Sequence, residues 1–132
     1  MQLLTEKGPY LVSTTNANGD AFLVELEKRA IPYMVVAIHD AQYQTFPVKD
    51  AQNIVSLNDV GQLAANAFTK IFIFEENIRD FLTIVPIIRS QFRAPIFLVT
   101  RHLGYSRSLY KKIGVKIVVY SQNDCLPLFI ID

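Results

Sequence analysis

The chain has 132 residues, 51% of them hydrophobic, and a formal net charge of +1 at pH 7. This length suits a single domain with a full core, whereas the near-neutral charge gives no electrostatic basis for binding nucleic acid. The single cysteine, Cys125, excludes an internal disulfide and a thiol-rich metal site, and it suits the cytoplasm. No apolar stretch approaches the roughly 20 residues needed to span a bilayer, so we expect no direct membrane insertion.

Apolar runs of strand length alternate with amphipathic segments along the first half of the chain. In chain order, we predict a strand, a helix, two strands and a short helix, at residues 10–14, 20–30, 33–38, 53–57 and 59–67. Pro32 closes the first helix, because the residue before a proline avoids helical geometry. Asn58 or Asp59 is expected to cap the second helix, which contains Gly61 near its start.

The second half continues the alternation with longer and more apolar runs. In chain order, we predict a strand, a helix, a strand, a helix and a strand, at residues 70–74, 78–92, 95–99, 106–113 and 116–120. Pro86 lies inside the first of these helices, where we expect a kink or a shortened first turn. Gly114 is expected to end the second helix with a left-handed residue.

The strands are continuous apolar runs, which is typical of a parallel sheet covered by helices on both faces. Six such strands with right-handed crossovers predict a three-layer, doubly wound α/β fold with a mostly parallel, six-stranded Rossmann-like sheet. Because no repeat or linker divides the chain, we expect residues 1–132 to form one domain. Residues 126–131 are mostly apolar, and a last helix, a subunit contact or a longer parent protein would each explain them.

Several short patterns occur in the order of these predicted elements. AIPYMVVAIHD ends on Asp40, an Asn follows two Glu after the fourth strand, Arg101 follows the fifth, and LYKKIGVKIVV leads into the sixth. Together they resemble the TrkA-N domain, also called the RCK N-terminal domain, the regulatory Rossmann module of potassium channels and transporters. The resemblance implies a non-enzymatic regulatory and assembly domain that acts as a homo-oligomer or as part of a membrane transporter.

The resemblance also implies a nucleotide site, in which the glycine motif has changed. The family's G-x-G-x-x-G aligns with Thr14, Asn16 and Gly19, so only the third glycine is kept. A side chain at either of the first two positions would occupy space that phosphate oxygens normally fill. The N-terminus of the following helix would attract a phosphate, but Asp20 adds a carboxylate there that competes with it. We therefore expect binding of NAD or an adenine nucleotide to be weak or lost.

Three further residues complete the candidate cofactor site. Asp40 would accept the ribose hydroxyls, or it would simply cap the turn after its strand. Arg101 would contact a phosphate, or it would pair with Glu75 or Glu76. The family has a Gly-Asp-Ala turn after its third strand, and Asp59 aligns with the aspartate of that turn. No residue is predicted to be catalytic or to bind a metal.

Two other functions stay open. A response-regulator-like pseudo-receiver would bind proteins without phosphotransfer, because Ser13 and Thr14 stand where a receiver carries acids. A receiver has five strands, so the strand count separates these two interpretations. A dehydrogenase would need an acid–base pair for hydride chemistry, which the sequence does not place.

Overall fold

In a computed structural model of the chain, six parallel strands form one sheet. The structure describes residues 9–14, 17–38, 51–75, 78–100 and 107–120. The strands are β1 (Tyr10–Thr14), β2 (Tyr33–Ala37), β3 (Ile54–Ser56), β4 (Lys70–Glu75), β5 (Ile96–Thr100) and β6 (Ile117–Tyr120). Their order across the sheet is β3-β2-β1-β4-β5-β6, and every neighbouring pair is parallel.

This strand order is that of the doubly wound dinucleotide-binding sheet, whose direction of winding reverses between β1 and β4. The predicted six-stranded Rossmann-like fold is therefore confirmed. A receiver has five strands in the order 2-1-3-4-5. The strand count and the strand order both exclude the receiver-like interpretation of this chain.

Helices cover both faces of the sheet. In the described ranges they are α1 (Ala17–Lys28), α2 (Ile78–Gln91) and α3 (Arg107–Ile113), together with 3-10 segments at Ala51–Asn53 and Leu57–Gln62. The apolar side of α1 packs on one face, and α2, α3 and Leu57–Gln62 pack on the other. No helix in these ranges combines the length and apolar character needed to cross a membrane.

Alternate residues of each strand enter the two cores. On the α1 face, Phe22 packs on Phe72 and Phe74, with ring centroids 4.8 and 5.3 Å apart. On the other face, Leu11 and Ile71 belong to the cluster that α2 covers. Because both faces are buried, the strands lack the polar alternation of a half-exposed sheet.

The first helix begins earlier than predicted. It starts at Ala17, three residues before the expected start at residue 20, so Gly19 and Asp20 lie in its first turn. The sequence pattern assigned Gly19 to the turn before the helix because glycine disfavours helices. In the structure, Gly19 is instead a point of close helix–strand contact, as described below.

The prediction of a helix at residues 59–67 is wrong. A 3-10 helix spans Leu57–Gln62, and Ser56 caps it by accepting a hydrogen bond from the backbone N–H of Asn58 at 3.3 Å. Neither Asn58 nor Asp59 is the cap. Gly61 costs about 1 kcal/mol of helix propensity relative to alanine, which opposes extension of the segment as an α-helix.

Pro86 does not shorten α2, which starts at Ile78 as predicted and continues past the proline to Gln91. Proline leaves the carbonyl group four residues earlier without its helical donor. Here that carbonyl belongs to Leu82, whose side chain is 51% exposed, so water can reach this side of the helix. α1 ends at Lys28, two residues before its predicted end, and the bounds of the remaining elements agree with the predictions to within one residue.

The end of α1 contains a residue in an unfavourable backbone conformation. Ala30 has φ 55°, and its N–H donates to the carbonyl of Glu27 at 3.2 Å. The N–H of Ile31 donates to the carbonyl of Leu26 at 3.0 Å. This pair of hydrogen bonds is the Schellman arrangement, in which glycine usually occupies the left-handed position.

We predict that Ala30→Gly stabilises the protein by about 1 kcal/mol, because glycine adopts positive φ without the steric cost of a Cβ atom. Urea unfolding monitored by circular dichroism measures the change. Gly114→Ala is the matched control at the end of α3: Gly114 has φ 119°, and an added Cβ would lie 2.7 Å from Arg89 Cδ. It should lower stability, and a loss of stability in Ala30→Gly would contradict the prediction.

Candidate functional site

The candidate site lies at the carboxyl edge of the sheet, where the chain leaves β1 and β4 in opposite directions. Thr14 and Phe74 are paired neighbours on these strands. From β1 the chain continues to α1 on one face, and from β4 it continues to α2 on the other. Ligands of open α/β sheets bind in the crevice that such a divergence creates.

Gly19 lies against the Thr14 side chain at this edge. A Cβ atom added at Gly19 would overlap Thr14 Oγ1 and Cβ, and it would lie 3.1 Å from Phe74 Cβ. Thr14 is only 1% exposed, so its side chain lies in the contact between β1 and α1. Gly19 therefore allows close packing of helix and strand, and the Thr14 side chain fills the space that Gly19 leaves.

Buried hydroxyl groups occur at the carboxyl ends of two strands. Ser13 and Thr14 end β1, and Thr100 ends β5; they are 3%, 1% and 2% exposed, respectively. Sequence reasoning did not assign Ser13 or Thr100 to the site. The available signal was the position of a polar residue at the end of an otherwise apolar strand.

The structure brings together two of the six predicted cofactor-binding residues, Thr14 and Gly19. Asp59 is exposed in the first turn of Leu57–Gln62, after β3. Two strand spacings of about 4.8 Å separate β3 from β1, so Asp59 lies roughly 10 Å from β1 across the sheet. Asn16, Asp40 and Arg101, the other three, lie outside the described residues.

Asp20 is a partly buried acid in the first turn of α1. Burial raises the pKa of the Asp20 carboxyl above its usual value, because a charged carboxylate loses hydration there. At neutral pH this group adds negative charge close to the N-terminal amides of α1. It therefore opposes the attraction of those amides for an anion.

Two open cavities lie away from this edge. One, of about 260 Å³, lies at the amino end of β2, where Tyr33 donates a hydrogen bond of 2.6 Å to Glu27 Oε1. Burial and the Glu27 carboxylate raise the pKa of Tyr33 well above its usual range. The other cavity, of about 330 Å³, lies between Leu57–Gln62 and α2. Within the described ranges, no three His, Cys, Asp or Glu residues could hold a metal ion.

Comparison with known proteins finds similarity at the level of structure. No model of a protein family matches the chain, and no curated protein matches it. A solved structure of the GsuK RCK domain matches with a TM-score of 0.65 and 17% identity over 87% of this chain. The GsuK channel bound to NAD matches with a TM-score of 0.66 and 17% identity over 87% of this chain.

GsuK bound to ADP is also similar, with a TM-score of 0.65 and 17% identity over 88% of this chain. The match covers only 22%, 26% and 32% of the chains in the NAD-bound channel, the RCK domain and the ADP-bound structure. The chain therefore has the fold of an RCK domain and spans less than a third of the length of these proteins.

We predict that Gly19→Ala destabilises the protein by about 2–3 kcal/mol, because the new methyl group overlaps Thr14 in a packed interface. In a Thr14→Gly background the overlapping atoms are absent, so the same change should cost much less. A double-mutant cycle by urea unfolding should give a coupling free energy of about 2 kcal/mol. Gly61→Ala is the control, since a Cβ there meets nothing within 4 Å; additive effects at Thr14 and Gly19 would contradict the prediction.

We predict that Asp20→Asn raises the melting temperature at pH 7.5 and changes it little at pH 3. The folded state holds the Asp20 proton more tightly than the unfolded state. Stability is thus lost as pH rises from the unfolded pKa of about 3.9 through the raised folded value. Asparagine does not ionise, so the variant does not lose this stability as pH rises. Asp80→Asn, in the first turn of α2, is the matched control and should give no gain, because acids favour helix N-termini.

Proposed function

We propose that this chain is a non-enzymatic regulatory and assembly domain of the RCK type. It would act in the cytoplasm as a homo-oligomer or as part of a membrane transporter. The observation that carries the proposal is the similarity of the parallel sheet and its helices to the GsuK RCK domain over 87% of this chain. Because one fold serves many functions, the properties of the carboxyl edge provide the second line of support.

Nucleotide binding at this edge is proposed to be weak or lost. The structures of GsuK with NAD and with ADP suggest which ligands to consider. In this chain Thr14 replaces the glycine that permits a tight turn before the phosphates. A helix N-terminus stabilises an anion by about 0.3–1 kcal/mol, and the Asp20 carboxylate opposes that attraction. Asn16, Asp40, Asp59 and Arg101 stay proposed contacts of any nucleotide that binds.

The absence of enzymatic activity is also part of the proposal. The buried polar side chains described at the carboxyl edge are the hydroxyls of Ser13, Thr14 and Thr100. Hydroxyl groups of serine and threonine do not titrate near neutral pH, so they need a separate base to take part in proton transfer. These three hydroxyls alone therefore give no support for a catalytic role.

Calorimetric titration of the purified chain with NAD, NADH, ADP and ATP tests the proposal. We expect dissociation constants weaker than about 100 µM, equivalent to less than roughly 5.5 kcal/mol of binding free energy. Asp20→Asn should strengthen whatever binding remains by about fivefold, since it removes about 1 kcal/mol of repulsion at the α1 N-terminus. Asp40→Ala should abolish that binding.

Asp80→Asn is the matched control, because it removes an acid from the first turn of α2 and should leave nucleotide affinity unchanged. Binding near 1 µM that Asp40→Ala abolishes would overturn the proposal of weak binding while keeping a regulatory ligand site. Hydride transfer between NADH and a second substrate would overturn the non-enzymatic proposal.

A further inference from the structure

The net charge of +1 conceals a strong separation of charge along the chain. Residues 81–123 contain seven Lys and Arg and no Asp or Glu, so the rest of the chain carries a net charge of −6. This basic segment includes most of α2 and all of β5, α3 and β6. Such an asymmetry within one domain points to a surface that contacts an anionic partner.

Four cations of this segment lie at the amino edge of the sheet, where the strands begin. Arg93 lies between α2 and β5, and Lys116 directly precedes β6. The N–H of Lys116 donates to the carbonyl of Ile96, the first residue of β5, at 2.8 Å. Lys111 and Lys112 are in the last turn of α3, which leads into β6. All four cations are exposed, and together they form the basic edge.

The half-buried Arg89 joins the two chain segments that carry the basic edge. Its guanidinium donates to the carbonyls of Phe92 and Ala94, in the connection from α2 to β5. It also donates to the carbonyl of Gly114, in the connection from α3 to β6, at 3.5 Å. Carbonyl groups near a helix C-terminus carry partial negative charge that would repel an anion. Because Arg89 bonds to them, this repulsion is offset.

Stabilisation of helix ends accounts for only half of the basic edge. Lys111 and Lys112 are in the last turn of α3, where cations interact favourably with the helix dipole. That effect is confined to the last turn, and Arg93 and Lys116 lie outside the helices. Their positive charges therefore need another explanation.

Acidic residues lie at the opposite edge of the sheet. Asp20, Asp59 and Asp80 are in the first turns of α1, of Leu57–Gln62 and of α2, at the carboxyl edge. The domain is therefore electrically polarised along its strands. A flat anionic surface would attract the basic edge and repel the carboxyl edge, which orients the domain.

We propose that the basic edge binds the anionic phospholipid headgroups of a membrane surface, without insertion of the chain. The cytoplasmic leaflet of membranes carries such lipids. Ile117 is 37% exposed next to Lys116 and provides an apolar contact at the same place. The inference rests on the proposed position of the domain beside a membrane transporter. It adds that the amino edge faces the bilayer, so the carboxyl edge stays open to ligands.

Nucleic acid is another polyanion that could meet a basic surface. Proteins bind single strands by stacking bases on exposed aromatic side chains. The aromatic residues in 89–96 and 107–117 are Phe92 and Tyr110, which are 2% and 0% exposed. No base could stack on them, so the observations favour a lipid surface.

The contact should be weak and reversible. Each Lys or Arg close to an anionic surface raises affinity about fivefold, so four of them raise it roughly 600-fold. This is less than a stable membrane anchor requires. A domain that is held beside a transporter would still make the contact, because the bilayer is then at a high effective concentration.

Co-sedimentation of the full chain with lipid vesicles tests the proposal. Vesicles of phosphatidylcholine with about one-third phosphatidylserine should bind the chain, and vesicles of phosphatidylcholine alone should not. Binding should fall at least about tenfold from 0.1 M to 1 M salt, because the Debye length falls from about 10 to 3 Å. The double variant Lys112→Gln, Lys116→Gln should bind about 25-fold more weakly, at about fivefold per charge.

Lys28→Gln is the matched control, because it removes the same exposed charge from the last turn of α1. α1 leads into β2, and three strand spacings, about 14 Å, separate β2 from β5. This distance exceeds the Debye length at 0.1 M salt, so the affinity should change less than about twofold. Equal melting temperatures by circular dichroism should show that all variants are folded.

Two results would overturn the membrane contact while keeping the regulatory role. One is equal binding to both kinds of vesicle, and the other is binding that resists the double variant. Binding to duplex DNA without binding to anionic vesicles would also overturn it and would identify nucleic acid as the partner. Vesicle binding as expected, together with hydride transfer from NADH, would instead keep the membrane contact and overturn the non-enzymatic proposal.

Discussion

The close approach of α1 to β1 controls both the fold and the candidate site. Gly19 lies directly on Thr14, and only the absence of a Cβ atom lets the helix lie this near. Three residues further along, Phe22 packs on Phe72 and Phe74 at ring distances of 4.8 and 5.3 Å. Dispersion contacts lose a quarter to a half of their energy over a gap of about 0.5–1 Å. An outward shift of α1 would therefore weaken the aromatic core and the carboxyl edge together.

Much of the fold follows from local sequence features. Continuous apolar runs identify the strands, and right-handed crossovers limit the order in which they can join. The start of α1 could not be predicted in the same way, because glycine in a sequence indicates a turn. The contact between Gly19 and Thr14, which requires a glycine inside the helix, is visible only in the structure. The segment Leu57–Gln62 was misjudged because its cap is Ser56, a residue that the pattern had placed inside a strand.

The candidate site was less predictable than the fold. Alignment to a glycine motif identified Thr14 and Gly19, but it could not show that the threonine side chain is directed toward the helix. In the sequence, Ser13 is an ordinary strand residue and Thr100 follows the predicted fifth strand, and their position at the edge depends on strand register. The cavity beside α2 combines residues about 30 positions apart, so no sequence window contains it.

The position of β1 inside the sheet has a consequence for synthesis of the chain. Its neighbour β2 follows closely, but its other neighbour is β4, and Tyr10 pairs with Lys70. At 5–20 residues per second, a ribosome needs roughly 2–6 s to make the residues between the end of β2 at Ala37 and the start of β4 at Lys70. During that interval a nascent chain that has paired β1 with β2 presents an unpaired, apolar strand edge, which favours association with other chains. Early handling by a chaperone would matter most between translation of β2 and of β4.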